Sequence, residues 1–155
     1  MHLPHLPSFQ QAPIVFLTAC AADRHPLLAN DTAHAILRDI WHRSAELNGW
    51  YVGRYVLMPD HVHLFARPAG DARPLPNWVR TWKSLSALRI NRGLNRSGPA
   101  WQADYFDRYL RSRGDYDKKW QYVAANPVRM GLVVQADDWP YAGTLWDLQY
   151  LNPRG

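Results

Sequence analysis

MPDHVHLFARP, residues 58–68, reads as a tight turn running straight into a strand. Pro59 and Asp60 supply the turn chemistry. Side chains along a strand point alternately to its two faces, so His61, His63 and Phe65 share one side while Val62, Leu64 and Ala66 take the other. The aliphatic set suits a face packed against helices. The two histidines then stand together on the opposite side, both imidazoles within reach of one ion. Imidazole suits several divalent metals, so the pair is a candidate metal site. Satisfied or solvent-exposed histidines produce the same spacing, and H-x-H alone does not separate these readings.

Working outward from this strand gives the rest of the chain. Trp50 to Leu57 reads as its antiparallel partner, and the apolar β-formers of Ile14 to Ala19 as a first strand. Between them, Asn30-Asp31-Thr32 offers N-cap chemistry. Ala33 to Leu47 then shows helical spacing through Ala33, Ile36, Leu37, Ile40, Trp41 and Leu47, stopped by Asn48-Gly49. After the loop GDARPLP, a helix is predicted from about Asn77 to Asn91. Its apolar stripe runs through Trp78, Trp82, Leu85 and Leu88, with Arg80 and Lys83 off the stripe. Trp101 to Arg111 supplies a fourth strand with an edge or hairpin. Asp115 to Ala125 forms a last helix, ended by Asn126-Pro127 because proline disfavours helix at the preceding residue. The order β-α-β-β-α-β plus a helix predicts an α+β fold, the ferredoxin-like split βαβ antiparallel sheet. Its helices lie on one face, with an extra C-terminal helix carrying Tyr122. Residues 1–155 are expected to form one domain, with a flexible N-terminus (1–12) and a docking tail (134–155).

Composition narrows the function. Charged residues make up 20% and apolar residues 47% of the chain, an ordinary soluble balance. No apolar run approaches the roughly 20 residues of a membrane helix. The start, MHLPHLPSFQQAP, lacks the basic segment and long apolar block of a signal peptide. One cysteine, Cys20, allows no internal disulfide and no cysteine-based metal site. A cytoplasmic, nucleoid-associated location is the expectation. The net charge is +5, and fifteen of the eighteen basic residues are arginines, whose planar fork suits phosphate and stacks on bases. Between Arg80 and Arg113 lie eight basic residues and two acids. Arg80, Lys83, Arg89, Arg92, Arg96 and Arg111, with Lys118 further on, are candidate nucleic-acid contacts. Eight tryptophans and eight tyrosines offer surfaces for stacking unpaired bases, Trp78, Trp82 and Trp101 being nearest the basic segment. A solvated basic face over an aromatic core accounts for the same composition.

The last helix offers partners for the histidines. Tyr122 and Asn126 are four apart and share a helical face. Asn126 carries an amide oxygen able to serve as a hard ligand, and Tyr122 a phenol that is a nucleophile once deprotonated. Lys118 lies one turn before Tyr122, where an ammonium could hold a phosphate. The bland alternative makes Tyr122 a core aromatic and Asn126 a C-terminal cap.

MPDHVHLF, then WQADYFDRYLR, then YVAANPVRMGL together resemble the REP-associated tyrosine transposases of the HUH single-tyrosine superfamily. The resemblance runs from about Ile14 to Trp146. It implies a domain binding hairpin-forming single-stranded DNA, with Mg²⁺ or Mn²⁺ held by His61, His63 and Asn126. It also implies that Tyr122 nicks one strand, keeps the 5′ end as a phosphotyrosine and transfers it to another 3′-hydroxyl. Many relatives carry glutamine at the Asn126 position. Tyr105, Tyr109 and Tyr116 are nearby decoys, since only Tyr122 stands one helical turn before an amide. The protein is expected to act as a monomer or homodimer. A domesticated, catalytically silent hairpin-DNA-binding protein remains the alternative. A phosphoesterase with two H-x-[ST] strands is disfavoured, because the one such triplet, His42-Arg43-Ser44, falls in a predicted helix.

Overall fold

A computed structural model describes residues 13–148; the segments read as a flexible N-terminus and the end of the tail lie outside the described residues. The elements are β1 (Val15–Cys20), α1 (Asp31–Asn48), β2 (Trp50–Met58), β3 (His61–Pro68), α2 (Leu75–Gly93), β4 (Phe106–Tyr109), α3 (Arg113–Ala124), the short α4 (Asn126–Arg129) and β5 (Ala142–Thr144). They build one sheet in the order β4-β1-β3-β2-β5, every neighbouring pair antiparallel. No described helix is long and apolar enough to cross a membrane.

The alternation of β3 organises the core. Val62, Leu64 and Ala66 enter a large buried cluster with Leu37, Trp41, Trp78 and Trp82 of α1 and α2. Phe65 enters a second, smaller cluster on the other face, with Phe16, Val56 and Val123 of α3. Both α1 ends carry the expected chemistry. The Asn30 side chain accepts from the Ala33 N–H, and Gly49 closes the helix at φ 77°, a conformation that favours glycine.

Several expectations are corrected. The stripe of α2 runs through Leu75, Trp78, Val79, Trp82, Ser86 and Ile90, whereas Leu85 and Leu88 are exposed, as is Leu47 of α1. Ser86 earns its buried place by accepting a hydrogen bond from the Trp101 indole at 2.9 Å. The buried stripe therefore lies a fraction of a turn from the one the leucine spacing selects. Strand β2 carries a bulge between Val52 and Tyr55, which resets its alternation so that both residues face α1 and α2. The predicted fourth strand shrinks to Phe106–Tyr109, with a single bridge at Trp101. Asn126 does not cap α3, whose last turn ends on Ala125; it opens α4, with Pro127 in the first turn. The described part of the tail contributes β5, which pairs with β2.

Candidate active site

The β1–β3 register sets Thr18 opposite His63 and Cys20 opposite His61, so these four side chains share one face of the sheet. The two imidazoles lie edge to face with centroids 4.8 Å apart. Each is held at Nδ1. His61 Nδ1 is 2.7 Å from Asp60 Oδ1, and His63 Nδ1 is 2.8 Å from the Thr18 hydroxyl. His63 also stacks on Phe16, at 5.4 Å.

Burial, above all, pushes the His63 imidazole down to about 3, with the charges of His61, Lys119 and Arg129 adding to the effect. Its ring is therefore neutral at ordinary pH and keeps a lone pair. Burial pushes the Asp60 carboxyl up, but hydrogen bonds from His61 and Arg24 outweigh it and leave the group below its ordinary value. Asp60 is thus an ionised acceptor.

The last helices bring the other half of the site. Asn126 Nδ2 lies 3.4 Å from His63 Nε2, and Arg129 donates to Asn126 Oδ1 at 3.3 Å. The Arg129 guanidinium lies 3.9 Å from the centre of the Tyr122 ring. Lys119 reaches the same ring at 5.9 Å and the Phe16 ring at 5.1 Å. Contacts therefore close a circuit: Tyr122, Arg129, Asn126, His63, Phe16, Lys119 and back to Tyr122. Tyr122 itself is 63% exposed, open to a polymeric substrate.

Among the described residues, no three His, Cys, Asp or Glu side chains gather into a possible metal cluster. An amide completing the histidine pair is consistent with that, and two imidazoles with one amide form a donor set fit for a divalent ion. A half-turn of the Asn126 amide would exchange its nitrogen and oxygen.

The sequence candidates scatter. His61, His63, Asn126 and Tyr122 come together. Lys118 is exposed, while the cations at the Tyr122 ring are Lys119 and Arg129. Lys83 donates to the carbonyls of Gln102 and Asp104 at 2.9 and 3.0 Å, and Arg89 pairs with Asp39 of α1 at 2.8 Å. Arg96 bonds Asn91 and the Pro99 carbonyl. Arg80, Arg92 and Arg111 are exposed. A cavity of about 370 Å³ beside α2 gathers Arg80, Lys83 and Tyr105. A larger one, about 570 Å³, opens between α1 and α2 and includes Arg89; none of the four converging residues lines it. Trp78, Trp82 and Trp101 are buried, which removes them as stacking surfaces. They form an edge-to-face series with Trp82 against Trp101 at 5.2 Å and Trp78 at 6.4 Å.

Sequence reasoning missed Thr18, Asp60, Lys119 and Arg129. It also missed Phe106, and it counted Arg108 only as one of the basic segment; the two pair with Thr18 and Phe16 and so share the histidine face, where both are exposed. Only the β1–β4 register reveals that placement.

With the geometry in hand, comparison with known proteins identifies the class. The family model described as Transposase IS200 like matches residues 11–126. The REP-associated tyrosine transposase of Escherichia coli (strain K12) is 30% identical over 110 residues, covering 70% of this chain and 60% of that protein. The chain thus spans about 60% of the length of this relative. A putative REP-associated tyrosine transposase of Haemophilus influenzae is 24% identical over 86% of this chain and 81% of its own. A solved REP-associated tyrosine transposase bound to a REP hairpin superposes with a TM-score of 0.69 at 20% identity, covering 99% of this chain and 98% of that one; at that identity it speaks for the fold. The chain belongs to the family of IS200-like transposases, and the curated relatives it is similar to are REP-associated tyrosine transposases.

Proposed function

We propose that this protein nicks hairpin-forming, REP-like single-stranded DNA and transfers the cut end through a 5′-phosphotyrosine on Tyr122. Its scaffold in this reading is the ferredoxin-like sheet, with α3 as the tyrosine helix. The observation that carries the proposal is the closed circuit linking an exposed tyrosine to an oriented histidine pair through two cations and an amide.

His61 and His63 would hold Mg²⁺ or Mn²⁺ through Nε2, with the Asn126 amide oxygen as third ligand. When bound there, the ion supplies Lewis acidity to the scissile phosphate and fixes its orientation. Lys119 and Arg129, beside the Tyr122 ring, would offset the charge that builds on the non-bridging oxygens. Tyr122 Oη attacks phosphorus, the P–O3′ bond breaks, and the leaving oxygen takes up a proton while the phenol loses one. The 3′-hydroxyl of another strand reverses the same exchange, so neither water nor ATP enters. Phe106 offers a flat surface for an unpaired base and Arg108 a phosphate contact, both on the histidine face. Arg80 and Lys83, at the α2 cavity, would meet the hairpin further away. The relative solved with a REP hairpin supports that choice of DNA.

The test is incubation with labelled single-stranded hairpins from the source genome. A covalent adduct that resists denaturant and needs Mg²⁺ or Mn²⁺ is expected. Hairpin binding without an adduct, under every divalent metal tried, would favour the silent DNA-binding alternative.

A further inference from the structure

The histidine pair is not simply two ligands on a strand; one of them is aimed by a second layer. Arg24 Nε donates to Asp60 Oδ2 at 2.9 Å while Asp60 Oδ1 lies 2.7 Å from His61 Nδ1. The same guanidinium reaches Cys20 Sγ at 3.1 Å, and Cys20 is the cross-strand neighbour of His61. Arg24 donates to the other carboxylate oxygen, so Asp60 Oδ1 is placed to accept from Nδ1–H of His61. With Nδ1 engaged by Asp60, His61 has Nε2, the nitrogen facing away from Asp60, left to meet a cation.

The segment carrying Arg24 is built for this placement at a backbone cost. Asp23 and Arg24 adopt φ of 53° and 55°, the left-handed region that ordinary residues avoid. Such conformations persist where the surroundings over-determine them. Here they do. Ala21 N–H donates to the Asp60 carbonyl at 2.8 Å, and Leu28 N–H to the Pro59 carbonyl at 3.0 Å. Ala22 N–H is anchored on the Ala100 carbonyl at 2.9 Å. The Pro59–Asp60 turn is therefore gripped through its backbone on both residues and through the Asp60 side chain.

We infer that Asp60, held by Arg24, is a positioning residue that fixes the tautomer and ring orientation of His61 for binding a divalent cation. The inference rests on the histidine pair being a metal site. Thr18 does the matching work for His63 with a neutral hydroxyl. The two ligands thus have unequal supports, one charged and one neutral. Removing a carboxylate partner of a ligating histidine typically weakens metal affinity about 10- to 100-fold.

The experiment is Mn²⁺ titration of the metal-free full chain by calorimetry, on wild type, Asp60→Ala, Asp60→Asn and Arg24→Ala. Imidazole ¹⁵N spectra of the metal-free protein are recorded alongside. Asp60→Ala should raise the Mn²⁺ Kd about 10- to 100-fold. Asp60→Asn keeps an oxygen acceptor for Nδ1–H and should recover most of the loss, and Arg24→Ala should cost a few-fold. The wild-type spectrum should show His61 protonated at Nδ1, with Asp60→Ala mixing the two tautomers. If wild type binds no Mn²⁺, the metal-site reading itself falls and this inference with it. If wild type binds but Asp60→Ala binds equally well, the positioning role alone is overturned. Equal losses in Asp60→Asn and Asp60→Ala would also overturn it, since charge and not orientation would then be what matters. Unfolding of Asp60→Ala, seen by loss of cooperative melting, leaves the Asp60→Asn affinity and the wild-type His61 tautomer to decide.

Discussion

The two faces of this sheet carry the same strand residues in alternate order and have opposite fates. One face disappears under α1 and α2, where Val62, Leu64 and Ala66 are fully buried among tryptophans. The other is covered at the Phe65 end by Tyr116 and Trp120 of α3, but at the His61 end it meets polar groups: Asp60, Thr18 and Asn126. The difference shows how a period of two separates duties. The covered face can be packed for stability because none of its side chains has to meet a substrate. The open face can hold half-buried polar groups because its neighbour supplies the core. At the His61 end, moving along β3 by one residue exchanges a packed aliphatic side chain for a polar one.

The largest test of this division is on the open face. Tyr122→Phe removes one oxygen from an exposed ring, so melting temperature and hairpin binding should stay within error while the covalent adduct disappears. Tyr105→Phe, Tyr109→Phe and Tyr116→Phe should keep it. An adduct surviving in Tyr122→Phe, mapped by peptide sequencing, would move the nucleophile to another tyrosine. The neighbouring pair His63 and Leu64 comes next, because they differ only in the face they occupy. Leu64→Ala should cost about 2–5 kcal/mol of stability in urea unfolding while the folded fraction still binds metal. His63→Ala should lose metal binding and adduct formation at a smaller stability cost than Leu64→Ala. If both variants lost stability equally, the open face would be core as well, and the division would collapse.

Much of this was readable in the residues, for identifiable reasons. Alternation across MPDHVHLF assigned both faces of β3, because sidedness in a strand is local geometry. The helix start at Asn30 and stop at Gly49 were legible because caps are local chemistry. What escaped depends on residues distant in sequence. Buried Ser86 accepts from the indole of Trp101, fifteen residues on, a partner that local spacing does not show. Trp78, Trp82 and Trp101 stay open between DNA and core in the sequence because indole suits a base and a core equally, and only packing decides. Lys119, not Lys118, faces the Tyr122 ring; adjacent lysines differ by about 100° around a helix, and nothing local says which one meets the sheet. Arg129 enters through α4, a turn hidden behind the proline that had seemed to end the helix.

The DNA path gives a smaller test, again between regions. Phe106 and Arg108 share the histidine face, whereas Arg89 is paired with Asp39 on the helical layer. Phe106→Ala should weaken single-strand binding by about 1–3 kcal/mol, the usual worth of one stacked base. Arg108→Ala should lower the salt dependence of binding by roughly one phosphate contact. Arg89→Ala and Arg92→Ala should do less than either. Fluorescence anisotropy at several salt concentrations reads all four. A larger loss from Arg89 or Arg92 would put the DNA across the helices and not along the edge of the sheet.

The smallest effect concerns a histidine on the covered side. His34 Nε2 lies 2.7 Å from the Tyr55 hydroxyl, which also accepts from Arg38. Tyr141 meets the same imidazole edge-on, at 5.8 Å. The site is tight: a Cβ on Gly143 would come within 2.7 Å of the Tyr55 oxygen. Burial first, and then the Arg38 charge, push the His34 imidazole below its ordinary value of 6.5, with Asp31 opposing. The sign follows from which state binds the proton. Below that ordinary value the unfolded chain takes up a proton that the folded one resists, so this contribution to stability is full above it and lost as pH falls. His34→Gln keeps a hydrogen-bonding group against Tyr55 and removes the titration. Its urea midpoint should therefore fall less than that of wild type between about pH 7 and 5, with Mn²⁺ affinity unchanged. Parallel midpoint curves for the two proteins would show that His34 does not sense pH. A changed Mn²⁺ affinity would be the more damaging result, because it would couple the covered face to the open one.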